Sequence, residues 1–275
     1  MPDDDLHDFE RTTFSHEGKE REVFRIGTGP AVLVLTEMPG ISPKVAGFAR
    51  RIAAIGGTAV MPQLFGRPGY DADPREHGRL ATLGVGLQVF GPVCISREFT
   101  MFATGKTSPV VVWLRALAAA EHERCGGPGV GAVGMCFTGG YALAMATDER
   151  MLAPVLSQPS MPLGISKRHR ASIDISPADL DIVKHRCAAE GLKVLGLRFE
   201  GDRFVPAERF GFLREQLGDG FVAVELPDAS ANPDAAMKNP HSVLTEHLID
   251  EPGEPTRDAL DQVLEFLRVR VLAAA

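Results

Sequence analysis

The sequence predicts a doubly wound α/β fold, a mostly parallel sheet with helices on both faces, preceded by an N-terminal β-hairpin. Three observations carry this expectation. Short apolar runs without alternation, such as Ala31–Leu35, read as strands buried on both faces. Capped or amphipathic helical stretches separate these runs, and strand–helix–strand order implies right-handed parallel crossovers. The 275 residues are enough for one such domain, and 44% hydrophobic with 24% charged residues excludes disorder, collagen-like repeats and coiled coil as the main architecture.

The hairpin comes first, with Phe9–Phe14 and Glu20–Ile26 flanking the polar Ser15–Lys19. Gly27-Thr28-Gly29-Pro30 then breaks the chain ahead of the strand Ala31–Leu35. Ser42 is placed to cap a helix that opens at Pro43 and runs through Ala53, and Gly57–Pro62 reads as the next strand. Gln63–Ser108 is the least regular stretch, rich in Gly and Pro, and reads as a lid or pocket wall. Val110–Arg124, which holds the only tryptophan, Trp113, reads as a helix, Gly129–Gly134 as a strand and Tyr141–Ala146 as a helix.

Met151–Leu156 and Leu192–Arg198 read as strands, and Ser176-Pro177-Ala178-Asp179 between them has a capping serine, a first-turn proline and a carboxylate. Pro206 opens a further helix and Phe221–Leu226 is a strand. Thr256–Val271 closes the chain as a helix, with Leu260, Val263, Leu264, Leu267 and Val271 at helical spacing. No repeat or low-complexity block interrupts this order. Residues 1–275 therefore read as one domain, with Met161–Cys187 as an insertion.

A formal net charge of −7 argues against an electrostatic nucleic-acid binder, which needs a basic stripe for phosphates. Met1-Pro2-Asp3-Asp4-Asp5 lacks the basic start and apolar stretch of a secretory signal, so a cytoplasmic location is expected. The apolar runs fall far short of the about 20 residues that span a bilayer as a helix, and no membrane association is expected. Cys94, Cys125, Cys136 and Cys187 are scattered without a C-x-x-C pair and read as reduced thiols. Asp181, His169, His185 and Cys187 are ligand types, but Lys167, Arg168, Arg170, Lys184 and Arg186 make their surroundings basic and the spacing fits no zinc pattern. No metal or cofactor is expected, and a monomer would suffice.

The chemistry is carried by Val130-Gly131-Ala132-Val133-Gly134-Met135-Cys136-Phe137-Thr138-Gly139-Gly140. A nucleophile between glycines, on a sharp strand-to-helix turn, is lifted above the sheet. The following helix start supplies free N–H groups and partial positive charge, which favour a thiolate and can bind an oxyanion. Downstream, Asp202 lies in Gly201–Pro206 after a strand, and Asn239-Pro240-His241-Ser242 lies in a later loop. Nucleophile, acid and histidine then follow the order of α/β-hydrolases and would emerge on one sheet edge. His247 competes with His241 for the role of base. A serine-type hydrolase acting through Ser242 is disfavoured, because no G-x-S-x-G occurs.

This pattern resembles the dienelactone hydrolase family, from about Phe24 to Leu267. Cys136 falls on the nucleophile of the family's G-x-C-x-G-G elbow, Gly201–Pro206 matches its G-D-x-x-V/I-P loop, Pro240–Val243 matches its histidine segment, and Glu37-Met38-Pro39-Gly40 matches its E-x-x-G. The resemblance implies the α/β-hydrolase fold and a carboxylic-ester hydrolase that opens a small ester or lactone through an acyl-thiol. Cys136 would be nucleophile, His241 base and then acid, and Asp202 the group orienting His241. The backbone N–H groups of Phe137 and Met38 would form the oxyanion hole, and Glu37 would sit beside the thiol and manage its proton. Two positions depart from the family. Thr138 stands where glycine is usual, which is tolerable with a helical backbone, and Thr245 stands where an arginine shortly after the histidine holds the substrate carboxylate. Arg75, Arg79 and Arg97 are the remaining candidates for that carboxylate. The competing reading is a non-catalytic relative with a redox-sensing or ligand-binding thiol at Cys136.

Overall fold

The computed structural model describes residues 3–73, 75, 98–99 and 102–273. The expectations placed on Arg79, Arg97 and Cys94 lie outside these residues. Eight strands form one sheet in the order β1-β2-β4-β3-β5-β6-β7-β8. Strands β1 (Glu10–His16) and β2 (Lys19–Gly27) pair antiparallel as the hairpin. Glu17 and Gly18 both take positive φ, 49° and 74°, as a two-residue hairpin turn of right-handed twist requires. The strands therefore run further into the polar stretch than its composition indicates.

Strand β2 is antiparallel to β4 (Thr58–Pro62). From there β3 (Ala31–Leu35), β5 (Val130–Met135), β6 (Met151–Ser157), β7 (Val194–Phe199) and β8 (Phe221–Leu226) extend the sheet with parallel pairing throughout. The period-2 pleat divides the core between two faces. Ala31, Leu33 and Leu35 of β3 join one apolar layer, while Val32 and Val34 join the other.

The first layer is covered by α2 (Val110–Cys125), α3 (Gly139–Met145), α4 (Pro177–Ala189) and α5 (Ala207–Leu217), following α1 (Pro43–Ala54) in the chain. The opposite layer packs against α1 and α6 (Pro255–Leu267). Local caps match the sequence: Ser42 accepts from the Val45 N–H at 3.3 Å, and Ser176 from the Asp179 N–H at 3.1 Å. The closing helix differs. After Leu267 it widens into a π turn over Arg268–Leu272, which lets the adjacent Val271 and Leu272 both enter the core.

Register sets the functional edge. Leu35 lies opposite Gly134, Met135 opposite Ser157, Ser157 opposite Leu197 and Phe199 opposite Leu226. The loops after β3, β5, β6, β7 and β8 thus leave from the carboxyl edge, where open α/β sheets bind ligands. Among the described residues no helix is long and apolar enough to cross a membrane.

Candidate active site

Cys136 is the first residue after β5, and its φ of 52° places a non-glycine residue in the left-handed region. Such a conformation costs about 1–2 kcal/mol and persists only where the surroundings enforce it. The glycines permit the turn. A Cβ on Gly134 would lie 2.4 Å from the Thr138 carbonyl oxygen, and one on Gly139 would lie 2.5 Å from Pro159 Cα.

Thr138 has φ −91° and ψ 0°, a right-handed backbone that a β-branched residue accepts. Its hydroxyl accepts from the Met135 N–H at 3.0 Å and donates to the Leu35 carbonyl at 2.7 Å. The departure from glycine therefore ties the elbow to the end of β3.

Asp202 and His241 meet across 39 residues. Asp202 Oδ1 accepts from the N–H groups of Phe204 and Val205 at 2.9 and 3.3 Å, which leaves Oδ2 to accept from His241 Nδ1 at 2.7 Å. Both residues are buried. With Nδ1–H donated to the carboxylate, the lone pair or second proton resides on Nε2. Burial opposes charge on this imidazole, but its interactions with Cys136 and with the Asp202 carboxylate outweigh it and hold the His241 pKa well above the usual 6.5. Nε2, at the other end of the ring, is buried and makes no hydrogen bond among the described residues, and Phe204 packs edge-on against the ring with centroids 5.2 Å apart.

His247 has a different arrangement. Its Nδ1 accepts from the Ser242 and His241 N–H groups at 3.1 and 3.3 Å, and Nε2 bonds the Met237 carbonyl at 2.8 Å. Both nitrogens are engaged by backbone, so this ring holds the loop that carries His241.

Glu37 follows β3 and is buried. Its carboxylate accepts from Ser242 Oγ at 2.7 Å, from Gln158 Nε2 at 3.1 Å and from Thr245 Oγ1. Beside the thiol stands Ser160, whose Oγ lies 3.4 Å from Cys136 Sγ. Thr245, at the position where the resemblance led to an arginine, spends its hydroxyl on Glu37. Arg75 is bound to Asp73 at 2.9 Å and to the Asp234 carbonyl at 2.8 Å.

Met38 is the next residue along, and Phe137 is the second residue of the helical turn Cys136–Thr138, where N–H groups lack intrahelical acceptors. The Phe137 ring packs edge-on to Phe65, Phe99 and Tyr141, with centroids 5.5, 5.7 and 6.2 Å away. A cleft of about 340 Å³ opens beside Glu37, Met38 and Ser242. Gln158 and Ser160 carry no motif, and the only sequence signal for them is a polar run directly after a buried strand.

Strand order, the turn after β5 and the loops after β7 and β8 define a protein of the α/β-hydrolase fold, a hydrolase scaffold. The chain belongs to the dienelactone hydrolase family, whose sequence profile it matches over residues 23–190. That match spans Glu37 and Cys136 and ends before Asp202 and His241.

Solved structures share the fold. A candidate dienelactone hydrolase from Klebsiella pneumoniae superposes with a TM-score of 0.60 at 16% identity, covering 94% of this chain and 97% of the other. A dienelactone hydrolase from Anabaena variabilis gives 0.56 at 17% identity, covering 96% and 100%. The dienelactone hydrolase-like promiscuous phosphotriesterase P91, from metagenomic libraries, gives 0.55 at 15%, covering 95% and 98%. Comparison with curated proteins found no match.

Proposed function

We propose that this protein hydrolyses a small ester or lactone through an acyl-thiol on Cys136. The observation that carries the reading is the 2.7 Å pairing of Asp202 Oδ2 with His241 Nδ1, which leaves a buried Nε2 without a partner among the described residues, beside a Cys136 held at φ 52° on the turn after β5. His241 Nε2 takes the thiol proton, and the sulfur attacks the carbonyl carbon. The tetrahedral oxyanion is held by the Phe137 and Met38 N–H groups, each worth about 3 kcal/mol when well aligned. Collapse expels the alkoxide, which His241 protonates, and His241 then activates water to cleave the thioester.

In this scheme Asp202 fixes the His241 tautomer and supports its cation. Glu37 acts at one remove, because Ser242 and Thr245 tie it to the histidine loop. The scheme uses only protein groups and water from one subunit, and suits a monomer in the cytoplasm.

The test is turnover of activated esters and of dienelactone by the purified protein and by Cys136→Ala. The variant is expected to lose about a thousandfold or more in acylation rate, and mass spectrometry of the wild type should trap an acyl group on Cys136. Equal rates in the two proteins would overturn the proposal. A reactive thiol that never becomes acylated would instead favour a sensing or ligand-binding role.

A further inference from the structure

The loop after β6 brings a hydroxyl to the thiol. Ser160 is only 2% exposed, and its N–H donates to the Cys136 carbonyl at 2.9 Å. Its Oγ has two acceptors in reach, Cys136 Sγ at 3.4 Å and the Gln158 carbonyl at 3.2 Å. The placement is enforced from both sides. Gln158 donates its N–H to the Leu197 carbonyl at 2.8 Å, and the Pro159 carbonyl accepts from Arg209 Nη1 at 2.7 Å while Pro159 lies against Gly139 of the elbow helix.

We propose that Ser160 is a further catalytic residue, whose hydroxyl proton turns from the Gln158 carbonyl to Cys136 Sγ when the thiol ionises. A hydroxyl carries one proton and serves one of these acceptors at a time. While Cys136 is protonated, the neutral sulfur is a weak acceptor and the Gln158 carbonyl holds the bond. Ionisation breaks the S–H bond and forms N–H on His241 Nε2. The sulfur then carries a full negative charge, and charge-assisted hydrogen bonds are about twice as strong as neutral ones. Rotation about the Cβ–Oγ bond gives the proton to the sulfur without net transfer from Ser160. As the sulfur attacks and its charge passes to the carbonyl oxygen, the hydroxyl returns to Gln158. Ser160 thereby favours the reactive thiolate, and the oxyanion hole takes over the charge.

The inference rests on Cys136 being the reacting thiol, and its test reads that thiol directly, whether or not an ester turns over. Iodoacetamide alkylation is followed on the Cys136 peptide by mass spectrometry from about pH 5 to about pH 10. Ser160→Ala is expected to move the midpoint of the profile to higher pH and to slow alkylation below it by about tenfold. Ser160→Thr and Ser160→Val, nearly equal in volume, separate the hydroxyl from packing: Thr should keep the wild-type midpoint and Val should shift it. A folded Ala or Val variant with an unchanged midpoint would overturn the role of Ser160. Normal Cys136 alkylation without ester turnover would overturn the hydrolase reading and leave Ser160's role intact.

Discussion

Thr138 exchanges a glycine's freedom for two buried hydrogen bonds, one from the Met135 N–H and one to the Leu35 carbonyl. Thr138→Val keeps the shape and removes both. Each buried bond lost costs about 1 kcal/mol, so a fall of about 2 kcal/mol is expected in urea unfolding. A change below about 0.5 kcal/mol would show that the hydroxyl does not hold the elbow to β3. His247 makes a pH prediction. Burial lowers its pKa below 6.5, and protonation of Nδ1 would set an N–H against the Ser242 and His241 N–H donors. The unfolded chain then takes up the proton first, so this contribution is present above about pH 6.5 and is lost as pH falls through the lower folded value. His241 has the opposite sign, because its raised folded pKa gives stability that is complete below 6.5 and declines as pH rises. Between about pH 7.5 and about pH 5.5, acid destabilisation measured by urea should be steeper in the wild type than in His247→Gln. Parallel slopes would assign the acid sensitivity elsewhere.

At the scale of elements, α5 holds three loops in place through one side chain. Arg209 is fully buried and donates to the carbonyls of Pro159, Pro162, His169, Ser172 and Phe204 at distances from 2.5 to 3.2 Å. These belong to the segment carrying Ser160, the insertion before α4 and the loop carrying Asp202. Burial lowers the guanidinium pKa to about 10. Arg209→Leu would strip buried carbonyls of their donors, and a loss of about 3 kcal/mol or more is expected, with partial recovery in Arg209→Lys. Chemical denaturation checks both, and a Leu variant of wild-type stability would remove the staple from the account. None of this was visible in the sequence, where Pro206 marks only the start of a helix, because the carbonyls that Arg209 binds lie in loops up to 50 residues away. The strands were legible because β3, β5 and β7 are buried on both sides and their apolar runs admit little else. The Cys136 turn was legible because close backbone approach at Gly134 and Gly139 restricts the residues that fit. Glu37's bonds were hidden, since they join positions up to 208 apart. The π turn was hidden too, because apolar spacing continues through Val271 whether the helix widens or not.

At the scale of the whole molecule, the net charge of −7 has a local counterpart beside Glu37 and Ser242. Among the described residues, the cleft next to Met38 and Ser242 is lined by four carboxylates, Glu37, Asp71, Asp73 and Glu246, against one cation, Lys44. Lys44 is already paired with Glu246 and Arg75 with Asp73, and Thr245 meets Glu37 with a neutral hydroxyl. A substrate carboxylate entering this cleft would meet repulsion of about 1 kcal/mol or more per close pair, the Coulomb energy of unit charges about 4 Å apart in water. An uncharged acyl or alcohol group meets none. For two esters matched in size, the neutral one is therefore expected to show a kcat/KM about tenfold above that of its carboxylate-bearing analogue at low salt. Because the effect is electrostatic and the cleft is open to solvent, raising the ionic strength to about 0.5 M should shrink the ratio severalfold, the Debye length there falling to about 4 Å. Steady-state kinetics on the matched pair at both salt concentrations decides the matter. Preference for the carboxylate-bearing ester, or a ratio insensitive to salt, would mean that cations elsewhere on the protein set the substrate's charge and that the acidic cleft does not.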